Sequence, residues 1–443
     1  MLEKLQQHIA DQFPFLKESK LLIAISGGLD SVVLTQLLHS LGFDISLAHC
    51  NFNLRALESD TDETFVKNLG KELSLCTYTT RFDTKEYAKT HKTSTQIAAR
   101  ALRYAWFKEL QEEHHFNYVA TAHHLDDNLE TLIINLSRGT GLEGLTGIPP
   151  INKTIVRPLL IFSRQEILDY AKAQHISWRE DQSNASTKYV RNKIRHQIIP
   201  VLKEINPNLL DSFQKTSSYL QGSQQIIDES MCQIGKSIST TDRYGNLAFD
   251  IAKLKKLPNP KAYLFELLKS YNFTEWNDIV HLLQAQSGKQ VFSESHRLLK
   301  DRDVLLLTKL SQPSALSIIE ITEGTREVMI PVHLTFVKSF QIEESTSNTI
   351  CLDSNKLTFP LTVRRWQQGD YFYPLGMQGK KKLSKFFKDE KYSLLDKENT
   401  WLLCSEHQIV WIIGKRQDRR FNANRDTTDF LKIHLHSHSL PAL

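Results

Sequence analysis

The sequence has few cysteines and no long apolar run, and these absences exclude several classes of protein. Only five of its 443 residues are cysteine, and none of them forms a C-x-x-C pair. This pattern argues against a disulfide scaffold and against a cysteine-ligated zinc or iron–sulfur site. There is no run of about 18 apolar residues to span a membrane, and the N-terminal residues lack an apolar signal core. We therefore expect a cytoplasmic protein with no membrane partner.

The sequence also lacks a large excess of charge of either sign, because lysine and arginine exceed aspartate and glutamate by only five. Such a balance permits a polyanionic partner without requiring one. The chain is nevertheless too long for one compact core, so we expect several domains.

The most informative stretch joins a short aliphatic run, Leu21 to Ile25, to an amphipathic helix through the six residues SGGLDS. A glycine-rich turn at a helix N-terminus directs N–H groups and the positive end of the helix dipole at an anion. An ordinary strand–helix turn would explain two glycines, but not serines and an aspartate at these offsets. The Lys-Ser/Thr ending of the Walker loop is missing, which argues against a kinase or GTPase. The predicted phosphate-binding loop is Ser26, Gly27, Gly28, Leu29, Asp30 and Ser31.

Short apolar strands alternate with helices over the first half of the chain. Strands are predicted at Leu21–Ile25, Phe43–Cys50, 75–80 and Tyr118–Ala122, and this alternation implies right-handed crossovers and a parallel sheet. Ligands bind such sheets at the carboxyl ends of the strands. We therefore expect SGGLDS, the residues 49–52 and the pair His123–His124 to line one crevice.

Acidic and basic side chains follow the fourth strand. Asp127 and Glu130 share a helix face, where with His124 they could bind Mg²⁺ or position an amine; a helix cap is the alternative for Asp127. Arg191 and Arg195 lie four residues apart, which suits either a phosphate clamp or a solvated basic face. Arg138 lies in a glycine-rich segment, 137–147, typical of backbone close to a ligand or of a flexible loop.

The later part of the chain has two patterns. Helical periodicity dominates 206–289, a hairpin is predicted around 300–303, and 311–350 is polar and β-like. Cations then alternate with aromatic residues from Arg364 to Lys388, as on a surface that contacts phosphates and bases. A solvated lysine face beside a buried aromatic core is the alternative.

Together these motifs resemble those of the tRNA(Ile)-lysidine synthetases, which belong to the N-type ATP pyrophosphatases with a pyrophosphatase loop (PP-loop). SGGLDS, AHHLDDNLET, LSRGTGLEGLTGI, RPLL and EDQSNASTKYVRNKIR occur in the family's order, densely over about the first 200 residues. The resemblance returns in PLGMQGKKKLSKFFKD and IVWIIGKRQDRRF, although Lys388 and Tyr392 to Leu394 depart from the loop expected after the two phenylalanines.

The resemblance implies an α/β fold with an N-terminal parallel-sheet PP-loop domain, a helical domain and a small α+β C-terminal domain. The implied boundaries are 1–205 for the catalytic domain, 206–310 for a mainly helical tRNA-contacting domain, 311–350 for a β-like linker and 351–443 for a tRNA-binding domain. Oligomeric state stays open, with a homodimer as one option.

The resemblance also implies a reaction. ATP would adenylate the C2 oxygen of the wobble cytidine in the isoleucine tRNA with a CAU anticodon, and the ε-amine of free L-lysine would displace AMP, which changes codon specificity from AUG to AUA. The loop Ser26–Ser31 would bind ATP, and Asp30 with Asp127 would hold Mg²⁺. The implied catalytic residues are Asp30, Asp127, Glu130, Arg103 and Arg195. The implied substrate contacts are His123, His124, Arg138, Arg191, Lys380, Lys381 and Lys382.

Three other functions compete with this one. A PP-loop tRNA sulfurtransferase would use the same adenylation, but generally needs a paired or persulfide-bearing cysteine, and Cys50 has no C-x-x-C partner. A small-molecule amidating ligase would explain SGGLDS but not the basic, aromatic C-terminal segment. A non-enzymatic tRNA-binding protein would have no use for the ATP loop.

Overall fold

The computed structural model describes residues 1–54, 57–180, 190–310, 318–341 and 344–436. The chain divides into two compact units, Met1–Glu229 and Ser230–Leu443. Within the described ranges, no helix is both long and apolar enough to cross a membrane. Most of the predicted motif EDQSNASTKY, residues 181–189, lies outside the described residues.

The first unit is built on a six-stranded sheet with the order β3-β2-β1-β4-β6-β5. Every neighbouring pair is parallel except β5 with β6. The strands are β1 (Leu21–Ala24), β2 (Ile45–Asn51), β3 (Thr77–Arg81), β4 (Tyr118–Ala120), β5 (Ile151–Asn152) and β6 (Ile155–Val156). The helices are α1 (Leu2–Gln12), α2 (Leu29–Ser40), α3 (Leu57–Glu72), α4 (Thr84–Thr90), α5 (Thr95–His114), α6 (Leu125–Arg138), α7 (Leu142–Leu145), α8 (Arg164–Ala173), α9 (Val190–Lys193), α10 (Ile199–Ile205) and α11 (Leu209–Ile238), which crosses the boundary between the units.

The central strand is apolar on both sides because helices cover both faces of the sheet. Leu21 and Ile23 of β1 pack into one buried cluster with α1, α2 and α8. Leu22, which points the other way, packs with Phe107 and Leu110 of α5. A strand buried on both faces is therefore aliphatic throughout instead of alternating with polar residues. This confirms the predicted parallel-sheet domain and the four predicted strands, with no strand end shifted by more than two residues.

The second unit contains two five-stranded antiparallel sheets, the first of them packed with helices, and two smaller antiparallel sheets. Their orders are β7-β8-β11-β10-β9, β12-β16-β19-β20-β21, β13-β14-β22-β15 and β17-β18. The helices are α12 (Ile251–Lys256), α13 (Pro260–Leu268), α14 (Trp276–Leu282), α15 (Leu383–Asp389) and α16 (Leu394–Glu398). The strands are β7 (Ser239–Thr241), β8 (Leu247–Asp250), β9 (Gln290–Phe292), β10 (His296–Asp301), β11 (Val304–Lys309), β12 (Ile318–Ile321), β13 (Glu327–Val328), β14 (Leu334–Ser339), β15 (Thr349–Asp353), β16 (Leu361–Arg365), β17 (Tyr371–Phe372), β18 (Lys381–Lys382), β19 (Trp401–Ser405), β20 (Gln408–Ile412), β21 (Arg416–Gln417) and β22 (Phe430–Leu435).

The second unit differs from the sequence patterns at two places. The hairpin predicted around 300–303 is present as β10 and β11. The strands β7 and β8 were not predicted, because they lie within 206–289, where helical periodicity dominates the sequence. These strands are three and four residues long, too short for their alternation to stand out. The segment interpreted as a β-like linker contributes β12 and β14, which pair with β16 and β22.

Candidate active site

The phosphate loop runs from the end of β1 into α2, and hydrogen bonds to its own serine hydroxyls hold its shape. Ser31 Oγ donates to the carbonyl of Gly28 at 2.9 Å and lies 3.2 Å from Ser26 Oγ. The N–H groups of Ser26 and Gly28 in turn donate to these hydroxyls, each at 3.2 Å. The serines that the sequence assigned to phosphate binding therefore also fix the shape of the loop.

Gly27 is required by its backbone conformation, and it packs against α3. Its φ is +89°, a region that favours glycine because a Cβ would be strained there. A Cβ on this residue would also lie 3.5 Å from Phe65 Cδ1 and 3.6 Å from Val66 Cγ2 of α3. The turn is thus packed against α3, and α2 begins at the next residue but one.

Asp30 lies in the first turn of α2 and reaches toward the end of β4. Its Oδ2 is 3.8 Å from His124 Nε2, while its Oδ1 is buried with no hydrogen-bond partner among the described residues. Burial raises the pKa of Asp30, Asp127 raises it further, and His124 and two arginines oppose the shift. A buried, unpartnered carboxylate oxygen is costly unless a ligand or cation completes it.

Asp127 caps α6 and also lies close to Asp30 of the phosphate loop, so the cap does not exclude a role at the site. Its carboxylate accepts the N–H of His124 at 3.2 Å, and its own N–H donates to His124 Nδ1 at 3.4 Å. It also accepts from Arg195 Nη2 at 3.1 Å. Burial by itself would raise the pKa of Asp127, but the two neighbouring histidines, the backbone hydrogen bond and Arg195 outweigh burial and lower it.

Glu130, one turn further along α6, is the most deeply buried acid of the site. Its side chain is 1% exposed, against 14% for Asp127 and 21% for Arg195. Arg195 donates to both of its oxygens through Nε and Nη2, the latter at 3.1 Å, and Arg191 Nε lies 3.6 Å from Oε2. Burial raises the pKa of Glu130 in spite of these guanidiniums. We call Asp30, His124, Asp127, Glu130 and Arg195 the carboxylate cluster.

Two more of the predicted residues border this cluster. Burial lowers the pKa of His123 to about 4, while the nearby Asp127 opposes the shift, so its imidazole is neutral near pH 7. Arg191 donates to Thr131 Oγ1 at 2.8 Å. At the neighbouring strand end, His49 Nδ1 lies 3.0 Å from the carbonyl of Ile25. The three strand ends are therefore neighbours, as predicted, because β1 lies between β2 and β4 and pairs with both in parallel.

Other predicted residues lie apart from the cluster. The guanidinium of Arg103 stacks over Phe52, with Cζ 5.1 Å from the ring centre, beyond the end of β2. Arg138 is exposed at the last residue of α6, about 12 Å from Glu130 at the rise of an α-helix. Their predicted roles are not tested by this arrangement.

In the second unit, the predicted lysines surround a small aromatic core. Lys381 pairs with Asp389 at 2.8 Å, Lys380 Nζ lies 5.1 Å from the ring centre of Tyr371, and Lys382 is exposed just before α15. Phe372, Phe386 and Phe387 are buried beneath them. The aromatic residues of this segment thus serve mainly as core, and the lysines supply its charge.

Two residues that lie at the site, Arg164 and Arg179, were missed by the sequence analysis. Arg164, the first residue of α8, lowers the pKa of Asp30, and its N–H donates to Asp126 at 2.8 Å. Arg179 donates its N–H to the carbonyl of Gly27 at 2.9 Å. A helix-start pattern, S-R-Q-E, could have indicated Arg164 as an N-terminal residue, but not its nearness to Asp30.

A parallel sheet whose first strand ends in SGGLDS at a helix N-terminus, beside buried carboxylates, defines the PP-loop class of nucleotide-binding proteins. The family model described as the PP-loop domain matches residues 1–202. Two further family models match, the TilS substrate binding domain over 242–310 and the TilS substrate C-terminal domain over 361–434.

Full-length relatives narrow this class to one family. The tRNA(Ile)-lysidine synthase of Parabacteroides distasonis is 40% identical over 432 residues, which cover 96% of this chain and 97% of the relative. That of Bacteroides thetaiotaomicron is 38% identical over 428 residues, again 96% and 97% of the two chains. This chain belongs to the tRNA(Ile)-lysidine synthase family.

Proposed function

We propose that this protein converts the wobble cytidine of the CAU-anticodon isoleucine tRNA to lysidine, with ATP and free L-lysine as co-substrates. The observation that carries the proposal is the contact between the phosphate loop and the carboxylate cluster. His124 lies 3.8 Å from Asp30 and 3.4 Å from Asp127. An ATP loop adjoining a buried anionic site is what activation of a carbonyl followed by delivery of a cationic amino acid requires.

The reaction needs two displacements. The C2 oxygen of cytosine attacks the α-phosphorus of ATP and pyrophosphate leaves; the ε-amine of lysine then attacks C2, and the oxygen leaves with AMP. Asp127, whose pKa is lowered mainly by His124 and His123 against burial, stays ionised at neutral pH and attracts an ammonium group.

One oxygen of the carboxylate cluster, Asp30 Oδ1, is suited to bind a magnesium ion. Asp30 Oδ1 is buried and unpartnered among the described residues, whereas Asp127 already accepts from Arg195 and His124. No group of three metal-binding side chains occurs in the described part of the chain. Mg²⁺ commonly takes one or two carboxylates and completes its shell with phosphates and water, so we propose Asp30 as the principal ligand and Asp127 as the second. Mg²⁺ would neutralise charge on the triphosphate.

Thiolation, the alternative on the same fold, is disfavoured by the cysteine nearest the crevice. Burial raises the pKa of the Cys50 thiol to about 12, with Arg103 opposing only in part. A protonated, buried thiol is a poor nucleophile.

The test is mass analysis of nucleosides from CAU-anticodon isoleucine tRNA incubated with the protein, ATP, Mg²⁺ and L-lysine. We expect a cytidine that has gained lysine with loss of water, and release of AMP. The same tRNA with uridine at the wobble position is the matched control and should stay unmodified. AMP release without a modified nucleoside would retain the ATP chemistry and refute lysine as the nucleophile.

A further inference from the structure

Arg179, which follows α8 and its loop, lies directly on the phosphate loop. Its N–H donates to the carbonyl of Gly27 at 2.9 Å. Its Cγ is 3.9 Å from the position that a Cβ on Gly27 would take, and its carbonyl oxygen is 4.0 Å from the same position on Gly28. The main chain and side-chain stem of Arg179 therefore contact both glycines of the loop.

The guanidinium of Arg179 is held by α3. Its Nε donates to Asp62 Oδ1 at 3.1 Å, and the same helix packs Phe65 and Val66 against Gly27. The side chains of Arg179 and Asp62 are 40% and 30% exposed. An ion pair this accessible adds little to stability, so folding alone does not account for an arginine at this place.

We propose that Arg179 binds the triphosphate of ATP while it holds the Gly27–Gly28 turn against α3. Among the described residues, Asp62 binds Arg179 through Nε, and a guanidinium has two further NH₂ groups with the fork geometry that matches phosphate oxygens. The carboxylate of Asp62 fixes the direction of the guanidinium before the nucleotide arrives. A guanidinium that binds the β- or γ-phosphate would strengthen the binding of ATP and not that of AMP, which lacks both.

The proposal rests on the ATP site of the proposed function and not on tRNA or lysine. The experiment measures binding of Mg–ATP and of AMP by calorimetry, without tRNA, in the wild type, Arg179→Ala and Arg179→Lys. We expect Arg179→Ala to weaken ATP about tenfold, as for loss of a charged hydrogen bond, and to change AMP less than twofold. Arg179→Lys should recover part of the loss because it keeps the charge.

Two controls separate binding from folding. Lys108→Ala removes one cation of an exposed ion pair with Glu112 on α5, and ATP binding should not change. Asp62→Asn keeps the guanidinium but loosens its direction, and the loss of ATP affinity should be smaller than for Arg179→Ala. Thermal melts of each variant show whether the fold is intact.

The proposal is overturned if Arg179→Ala binds ATP as the wild type does, if ATP and AMP weaken equally, or if lysine gives no recovery. A wild type that binds ATP but forms no lysidine would refute the proposed function and leave this inference standing. A wild type that binds no ATP would refute both.

Discussion

The carboxylate cluster of the first unit and the lysine segment of the second, Lys380 to Lys382, carry their charged side chains in opposite ways. In the first unit, Asp127, Glu130 and Arg195 are mostly buried and bonded to one another at defined atoms. In the second unit, Lys380 and Lys382 stand exposed above buried phenylalanines, and Lys381 alone among the three has a carboxylate partner. In the carboxylate cluster, a few charged groups are held in place by bonds to one another. In the lysine segment, most of the charged groups are exposed to solvent.

The difference follows from the dielectric around each group. Buried pairs interact strongly and are little screened by salt, but each partner depends on the other to remain ionised. Exposed lysines contribute individually, and salt weakens them. The buried cluster therefore suits chemistry at one position, whereas the lysine segment suits attachment to a polyanion.

We expect the largest effect from a substitution that removes Asp30 from the carboxylate cluster. Asp30→Ala should lower adenylation about 10²- to 10³-fold, because it removes the carboxylate proposed as the principal Mg²⁺ ligand, and Mg²⁺ would stabilise the charge that develops on the triphosphate. Binding of tRNA should change less than twofold. Adenylate formation and filter binding measure the two; equal losses in both would place Asp30 in tRNA binding or folding.

The next effect is on stability. Arg195→Ala leaves Glu130 buried without its bidentate partner, and breaking such a pair costs about 3–5 kcal/mol. Urea unfolding monitored by circular dichroism measures the change in the free energy of unfolding.

Two variants sharpen this measurement. Adding Glu130→Gln to Arg195→Ala should recover part of the loss, because the uncompensated buried charge is gone. Lys4→Ala breaks an exposed pair with Glu166 and should cost less than about 1 kcal/mol. Equal losses for Arg195→Ala and Lys4→Ala would refute the distinction between buried and exposed charge.

A smaller effect depends on pH. Burial alone would raise the pKa of Glu63, but hydrogen bonds from Lys67 and Asn51 and the charge of Arg81 lower it to about 2. A folded pKa below the unfolded value adds stability above about pH 4.5, which is lost as pH falls toward 2. At about 1.36 kcal/mol per pKa unit, the loss is at most about 3 kcal/mol, because solvent screens the half-exposed lysine and arginine. Unfolding between pH 6 and pH 3 should show at most about 2 kcal/mol of this loss in the wild type, and none of it in Glu63→Gln.

The smallest effect concerns the lysine segment. Replacing Lys380, Lys381 and Lys382 with glutamine should weaken tRNA binding about tenfold and reduce the slope of log K against log salt by about 2–3. Binding measured across a salt series checks both. Lys17, Lys71 and Lys172, three exposed lysines of the first unit, provide a charge-matched triple variant that should leave the slope unchanged. Equal slopes in the two triple variants would favour the solvated-face alternative.

The site was partly predictable because its central motif is local. SGGLDS follows a buried strand and opens a helix, and neighbours in sequence are enough to form that turn. Asp127 and Glu130 share a face because they are three residues apart on α6. Arg179 could not be predicted in this way, since its carboxylate partner is 117 residues earlier. Arg364 belongs to the segment predicted to contact phosphates and bases, but in the structure its two terminal nitrogens donate to Asp370, each at 2.8 Å.

The sequence by itself determined the periodic parts of this protein. Aliphatic runs and helical spacing are local properties, and from them come the parallel sheet, the phosphate loop and the hairpin of β10 and β11. Tertiary structure alone decided which charges are buried and which residues meet across distant segments. Arg195 reaches Glu130, and Arg179 reaches Gly27, only after the strands have paired. Burial and long-range contact are properties of the folded chain, and they set the pKa values on which the chemistry depends.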